Sequence, residues 1–319
     1  VDALRYCQKG RFSVNYLRYW SLPLLAGVAL LAPAGCRRPV ARPVRYSAGN
    51  VAVLRTALGG KAGGEATASA APTAEPTGWA TLRGVFKVDG APPSPSPLNI
   101  TSDHAVCMPG NKPVYASDIK VDSSGGIANV VVYLETKYPD GDANWEHPQF
   151  AALPKEVEFD QKSCVFLTHV FAIRSSQLLK VLNSDPVGHN TKLEGGGKAL
   201  PGNFTVPAGA SAIYSPVGES DEPFKVSCSI HPWMAAYGLV RKSPYFAVTN
   251  DKGEFELANL PAGVPLKFRL WHERTQFIRD AKTTGTVDKL GGGRLQLKLA
   301  NDEQRSLELS ISAKSLGGG

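Results

Sequence analysis

Apolar residues in this 319-residue chain recur at alternate positions over short stretches, which are separated by Gly, Pro, Asn and Asp. That two-residue period marks half-buried strands. It predicts strands at 80–88, 127–135, 156–160, 164–173, 178–182, 203–206 and 211–214. Further strands are predicted at 224–228, 237–241, 245–249, 253–257, 265–271, 294–299 and 307–313. No apolar stripe of helical period exceeds two turns, although 142–152 and 273–281 each leave room for a short helix. Many short strands at this spacing predict an all-β fold built of packed sandwiches.

The N-terminal region departs from the pattern. Residues 20–35 (WSLPLLAGVALLAPAG) form one apolar run behind a basic stretch, and Cys36-Arg37-Arg38 follows. Basic residues, a short apolar core and small residues in that order constitute a secretory signal. The run is shorter than the roughly 20 residues of a spanning helix. Its Gly35-Cys36 end resembles a bacterial lipoprotein signal, in which the Cys is lipidated and becomes the new N-terminus. Pro33 stands where that signal prefers Leu, Ala or Val. The expectation is a signal peptide at 1–35, a lipid anchor on Cys36 and a periplasmic or cell-surface location. A non-cleaved anchor is the alternative and leads to the same side of the membrane. Residues 36–78 are rich in Ala, Gly, Thr and Pro without a period, the composition of a flexible linker.

Charge changes the functional picture once it is located. The net charge is +7, but residues 1–77 hold ten Lys and Arg against three acids. The rest of the chain carries 25 basic and 25 acidic groups. A balanced globular region lacks the electrostatic footprint of a nucleic-acid binder. No Gly-x-Ser-x-Gly elbow, phosphate-cradling Gly loop or His-Glu-x-x-His motif occurs, so the expectation is a protein that is not an enzyme.

Four residues carry soft-metal chemistry. His189 lies in Asn183-Ser184-Asp185-Pro186-Val187-Gly188-His189-Asn190. Cys228, His231 and Met234 lie in Cys228-Ser229-Ile230-His231-Pro232-Trp233-Met234, between two predicted strands. Two imidazoles, a thiolate and a weak thioether form the donor set of a type 1 copper site. Such a set suits both copper oxidation states, so little has to move when an electron does. Zinc is disfavoured because Met is a poor zinc ligand. A binuclear copper site would need a second Cys in the loop. Asn190 follows the upstream ligand, where its side chain could tie the two ligand-bearing loops together and adjust the site.

At these residues the chain resembles the cupredoxins, most closely the short-loop amicyanin and plastocyanin group. The resemblance covers about residues 155–242 and includes the Val206-Pro207-Ala208-Gly209 turn. It implies a Greek-key sandwich with one copper ion near one end. It also implies that the exposed imidazole edge of His231 is the electron port, with a redox partner such as a cytochrome or oxidase.

The flanking segments resemble a carboxypeptidase regulatory-like (transthyretin-like) sandwich. TLRGVFKVDGAPP and NVVVYLE precede the cupredoxin-like stretch. Thr249-Asn250-Asp251-Lys252-Gly253-Glu254-Phe255 and Leu260-Pro261-Ala262-Gly263 follow it. The expected organisation is therefore transthyretin-like at 79–141, cupredoxin at 142–242 and transthyretin-like again at 243–319. The combination resembles bacterial exported proteins of the methylamine-utilisation-like kind, a label that does not establish a role in amine oxidation.

Of five Cys, Cys7 leaves with the signal, Cys36 takes the lipid and Cys228 takes the metal. Cys107 and Cys164 are left, and an oxidising compartment favours a disulfide between them. The alternative is a second metal site using Cys164 and His169. His169 and His272 alternate with apolar residues, which predicts structural roles, as does core packing for Trp271. Trp233, inside the ligand loop, is read either as part of a partly exposed hydrophobic docking patch or as simple packing. The rival readings of the whole are a surface-anchored copper-binding or structural β module, and a copper enzyme needing a second copper on three His.

Overall fold

A computed structural model describes residues 74–194, 199–200 and 202–317. The predicted signal, Cys36 and nearly all of the predicted linker lie outside the described residues. The regular structure of the described chain is almost all strand, arranged as four sheets that enclose two separate cores. Among the described residues no helix is long and apolar enough to cross a membrane.

The first pair of sheets draws its strands from both ends of the described chain. One sheet runs Glu254–Pro261, Trp79–Asp89, Gln304–Ser312 and Lys282–Thr283. Trp79–Asp89 and Gln304–Ser312 pair in parallel from Thr81↔Gln304 to Asp89↔Ser312. The second sheet runs Phe246–Val248, Val131–Leu134, Pro265–His272, Arg294–Lys298 and Lys289–Gly291. Leu82, Phe86, Val132, Leu134, Phe268 and Leu309 fill the core between them. The turn before Glu254 depends on Gly253, whose φ is +77° and whose absent Cβ would stand 2.3 Å from the Phe86 carbonyl oxygen. Only glycine combines that backbone angle with so close an approach.

The second pair of sheets is built from residues between 156 and 241. One runs Val170–Arg174, Ala235–Arg241, Phe224–Ser227, His189–Glu194 and Asn203–Val206. The other runs Val165–Phe166, Glu156–Lys162, Leu178–Asn183 and Ser211–Tyr214. Phe159, Ile173, Leu179, Val181, Val226 and Val240 lie inside. Two segments cross over in their packing. Ile100, Val106 and Cys107 pack on this second core, whereas Trp145 and Phe150 pack on the first.

The two sandwiches meet along an apolar seam of Val131, Tyr133, Val170, Leu239 and Trp271. This explains why Val131–Leu134 is apolar at every position. Alternate residues of a strand face opposite sides. Val132 and Leu134 enter one core while Val131 and Tyr133 enter the seam. Arg241, also buried near the seam, donates to the Ser220 carbonyl at 2.8 Å and lies 5.2 Å from the Tyr133 ring centroid.

Three local features differ from the pattern-based expectation. The 164–173 stretch is broken into Val165–Phe166 and Val170–Arg174. The 273–281 stretch holds no helix and includes the short strand Gln276–Phe277, while 142–152 holds only a 3-10 turn at Pro148–Ala152. His189–Glu194 is a strand that apolar alternation does not mark, because its buried residues include His189, Asn190 and Thr191.

Candidate metal centre

Strand His189–Glu194 begins beside the end of Phe224–Ser227, its antiparallel neighbour, with Ser227 opposite Lys192. His189 and Cys228 are thereby brought to the same end of the sandwich. The loop after Cys228 folds back through a turn in which the Met234 N–H donates to the His231 carbonyl at 2.9 Å. Pro232 takes the second position of that turn, where its fixed φ is favoured.

The donor atoms of His189, Cys228 and His231 all lie within 4.8 Å of one another. Both imidazoles are fully buried and Cys228 is nearly so. Met234 is buried in the same apolar cluster as Cys228. Two further groups of donors of this kind include Cys164 or both Cys107 and Cys164. Those two cysteines are joined in a disulfide with their Cα atoms 4.9 Å apart, so neither offers a thiolate. This removes the alternative of a second site on Cys164 and His169. Cys228 is the free thiol among the described residues.

The hydrogen bonds around the rings show which nitrogen faces inward. His189 Nε2 meets Asp185 Oδ2 at 2.8 Å, and His231 Nε2 meets Asp103 Oδ2 at 2.9 Å. Carboxylates accept, so each Nε2 carries a hydrogen and donates. Each neutral ring then presents its lone pair at Nδ1. The two Nδ1 atoms lie 2.8 Å apart, beside Cys228. Two lone pairs at that distance in a buried site repel unless a cation lies with them. Burial lowers the proton affinity of His189 below the ordinary imidazole value, against the opposing effect of its hydrogen bond to Asp185, and so disfavours a proton in that role. The Cys228 sulfur accepts from the backbone N–H groups of Asn190 and His231, each at 3.4 Å, which holds it at the end of the sandwich where the two rings lie. The residues present therefore fit a soft or borderline metal cation.

Asn190 links the two ligand-bearing segments: its Oδ1 accepts from the Ser229 N–H at 2.5 Å, and its Nδ2 donates to Asn203 Oδ1 at 2.6 Å. Asn183 braces the loop ahead of His189. Its Nδ2 donates to the carbonyls of Val187, Val206 and Pro207, and its Oδ1 accepts from the Asp185 N–H.

Asp103, Asn183 and Asp185 are functional candidates that the donor-set reading does not single out. Asp185 had a local signal, since it stands four residues before His189. Asp103 had none.

One expectation is corrected. His231 offers no exposed edge, because the Asp103–Cys107 segment covers its Nε2 side and leaves the ring fully buried. Trp233 is half-buried, with its ring centroid 5.1 Å from that of His231 and its Nε1–H donating to the Cys164 carbonyl at 3.1 Å. His169 pairs with Glu273, and Trp271 packs against Tyr237 in the seam.

No protein-family model matches the chain, and no curated protein matches it. Among solved structures, an oxidized point mutant of amicyanin aligns with 28% of this chain and 88% of its own, at 11% identity and a TM-score of 0.24. A reduced amicyanin mutant aligns with 34% of this chain and 98% of its own, at 12% identity and a TM-score of 0.24. The Cu-containing nitrite reductase (NirK) of Thermus scotoductus aligns with 28% of this chain and 23% of its own, at 19% identity and a TM-score of 0.23.

Proposed function

We propose that this chain binds one copper ion in type 1 form and carries single electrons between redox proteins. His189, Cys228 and His231 would be the principal ligands and Met234 the weak axial one. The observation that carries this reading is the pair of buried imidazoles, Nδ1 to Nδ1 at 2.8 Å, beside the buried sulfur of Cys228. A thiolate with two imidazoles and a thioether is copper chemistry. Bound copper would supply a one-electron couple.

The protein's own residues supply the constraint. Asp185 and Asp103 fix the ring tautomers, two N–H groups hold the sulfur, and Asn190 ties the ligand segments together. A rigid set of ligands keeps reorganisation small on gain or loss of an electron. By this reading the protein is not an enzyme, and its partner is a cytochrome or an oxidase. It is exported to the periplasm or cell surface and tethered through Cys36. Nucleic acid is not a partner.

The burial of His231 favours a second reading, a copper-binding or structural module at the cell surface with no role in electron transfer. One experiment tests the first and separates the two. Purified protein is loaded with Cu(II), then reduced and reoxidised. The carrier is expected to show an intense visible thiolate-to-copper band that bleaches with a mild reductant, returns on oxidation and is absent in Cys228→Ser. A colourless complex overturns the type 1 assignment. A coloured complex that does not cycle supports the storage or structural reading.

A further inference from the structure

Two carboxylates hold the two imidazoles from behind, and they come from distant parts of the chain. Asp185 lies in the loop just before His189, but Asp103 is 128 residues from His231. Asp103 belongs to a segment that leaves the first sandwich and packs Ile100, Val106 and Cys107 on the second core.

The backbone at Asp103 is built to make that contact. Its φ of 50° and ψ of 37° are left-handed, a conformation that costs any residue with a Cβ and that Asp tolerates better than most. The Asp103 carbonyl accepts from the N–H groups of Val106 and Cys107, each at 2.9 Å, closing the short helix His104–Cys107. Cys107 is then bonded to Cys164, and both sulfurs lie within 4.8 Å of a ring nitrogen of His231. The Cys164 N–H donates in turn to Asp185. The disulfide thus ties the segment that carries Asp103 to the turn whose N–H groups hold Asp185. Asp103 itself is 43% exposed and its ring partner is fully buried, so the carboxylate closes the site from the solvent side.

We propose that Asp103 is a positioning residue for the metal centre. It fixes hydrogen on His231 Nε2 and turns the Nδ1 lone pair toward His189 and Cys228. A carboxylate on the outer nitrogen of a ligating imidazole acts in this way, and its loss commonly weakens metal binding by about 10- to 100-fold. The inference rests on the copper reading for its metal measurement and not for its metal-free one.

The test compares wild type with Asp103→Ala, Asp103→Asn and the neighbouring control His104→Ala, all with the disulfide intact and thermal melting checked. Copper(II) affinity is measured by competition with a chelator. The His231 ring nitrogens are followed in metal-free protein by long-range proton–nitrogen NMR. Asp103→Ala is expected to weaken copper binding by about tenfold or more and to displace the His231 Nε2 resonance. Asp103→Asn keeps an acceptor and tolerates the left-handed backbone, so it recovers most of the affinity. His104→Ala, which loses only its own contact to the Ile100 carbonyl, is expected to leave both readouts in place.

An Asp103→Ala affinity within twofold of wild type overturns the proposal, whether or not the resonance moves. So does an equal loss in His104→Ala. If wild type takes up no copper(II), the copper reading fails. The metal-free resonance then decides alone whether Asp103 fixes the ring.

Discussion

Cys164 donates its backbone N–H to Asp185 Oδ2 at 2.8 Å, the oxygen that also accepts from His189 Nε2 at 2.8 Å. The other oxygen of Asp185 accepts from the Ser163 N–H at 2.6 Å. A single buried carboxylate therefore fastens one candidate ligand to the turn that carries half of the disulfide. Replacing it by an amide removes the charge and sets an N–H₂ group against at least one donor. Asp185→Asn is expected to cost about 2–3 kcal/mol of folding stability, read as a lowered urea midpoint in metal-free protein with the disulfide intact. An unchanged midpoint would show that the three contacts contribute no net stability.

Met234 provides a separate test of the ligand set. It is buried in the same apolar cluster as Cys228, and Met234→Leu is close to volume-conserving and should fold. A thioether donor favours the oxidised site more than a hydrocarbon does. The expected outcome is a raised reduction potential with copper still bound and the visible band retained. Loss of the metal would instead place Met234 among the principal ligands, and an unchanged potential would remove it from the site.

His272 offers a pH test away from the metal centre. Its ring is buried, its Nε2 has no partner, and its Nδ1 accepts from the Arg274 N–H at 3.3 Å. Burial first, then the nearby His169 and Arg274, push its pKa down to about 4. The unfolded chain takes up this proton near the ordinary value of about 6.5. Between those values the unfolded state binds more protons, so stability falls as pH falls. The contribution is fully present above about 6.5 and is lost progressively toward about 4, at up to about 1.4 kcal/mol per pH unit. Denaturant titrations at pH 7 and pH 5 should show a smaller acid loss in His272→Gln than in wild type. Equal losses would contradict the shift.

Leu239 tests the seam. It is fully buried against residues of the other sandwich, so Leu239→Ala should leave a cavity there. The expected cost is about 2–5 kcal/mol in equilibrium unfolding. A cost below about 1 kcal/mol would mean that the seam closes over the missing side chain.

Much of the strand framework was legible because alternation of apolar residues is a local signal. Residues 203–206 and 211–214 are strands with the expected limits, and most others differ by a few residues at their ends. His189–Glu194 escaped because its buried face is made of polar residues that serve the site rather than the core. The donor set was legible for the opposite reason, since Cys228, His231 and Met234 sit on one short loop. The groups that orient those donors were harder to find. Asp185 can be noticed only once His189 is suspected. Asp103 reaches its ring from a left-handed turn 128 residues away that no spacing encodes, although the disulfide beside it was expected. Its arrival also explains why the port expected at His231 is closed.

The parallel pairing of Trp79–Asp89 with Gln304–Ser312 has a consequence for biosynthesis. As the chain leaves the ribosome, the earlier strand lacks this neighbour until the later one emerges, and an unpaired edge is open to misassociation meanwhile. All strands of the 156–241 sheets have emerged well before that. A released chain that ends at residue 250 should therefore protect those inner sheets from protease while leaving Trp79–Asp89 open to cleavage. The frame that surrounds the metal-centre sandwich in sequence would then be the last part to close around it.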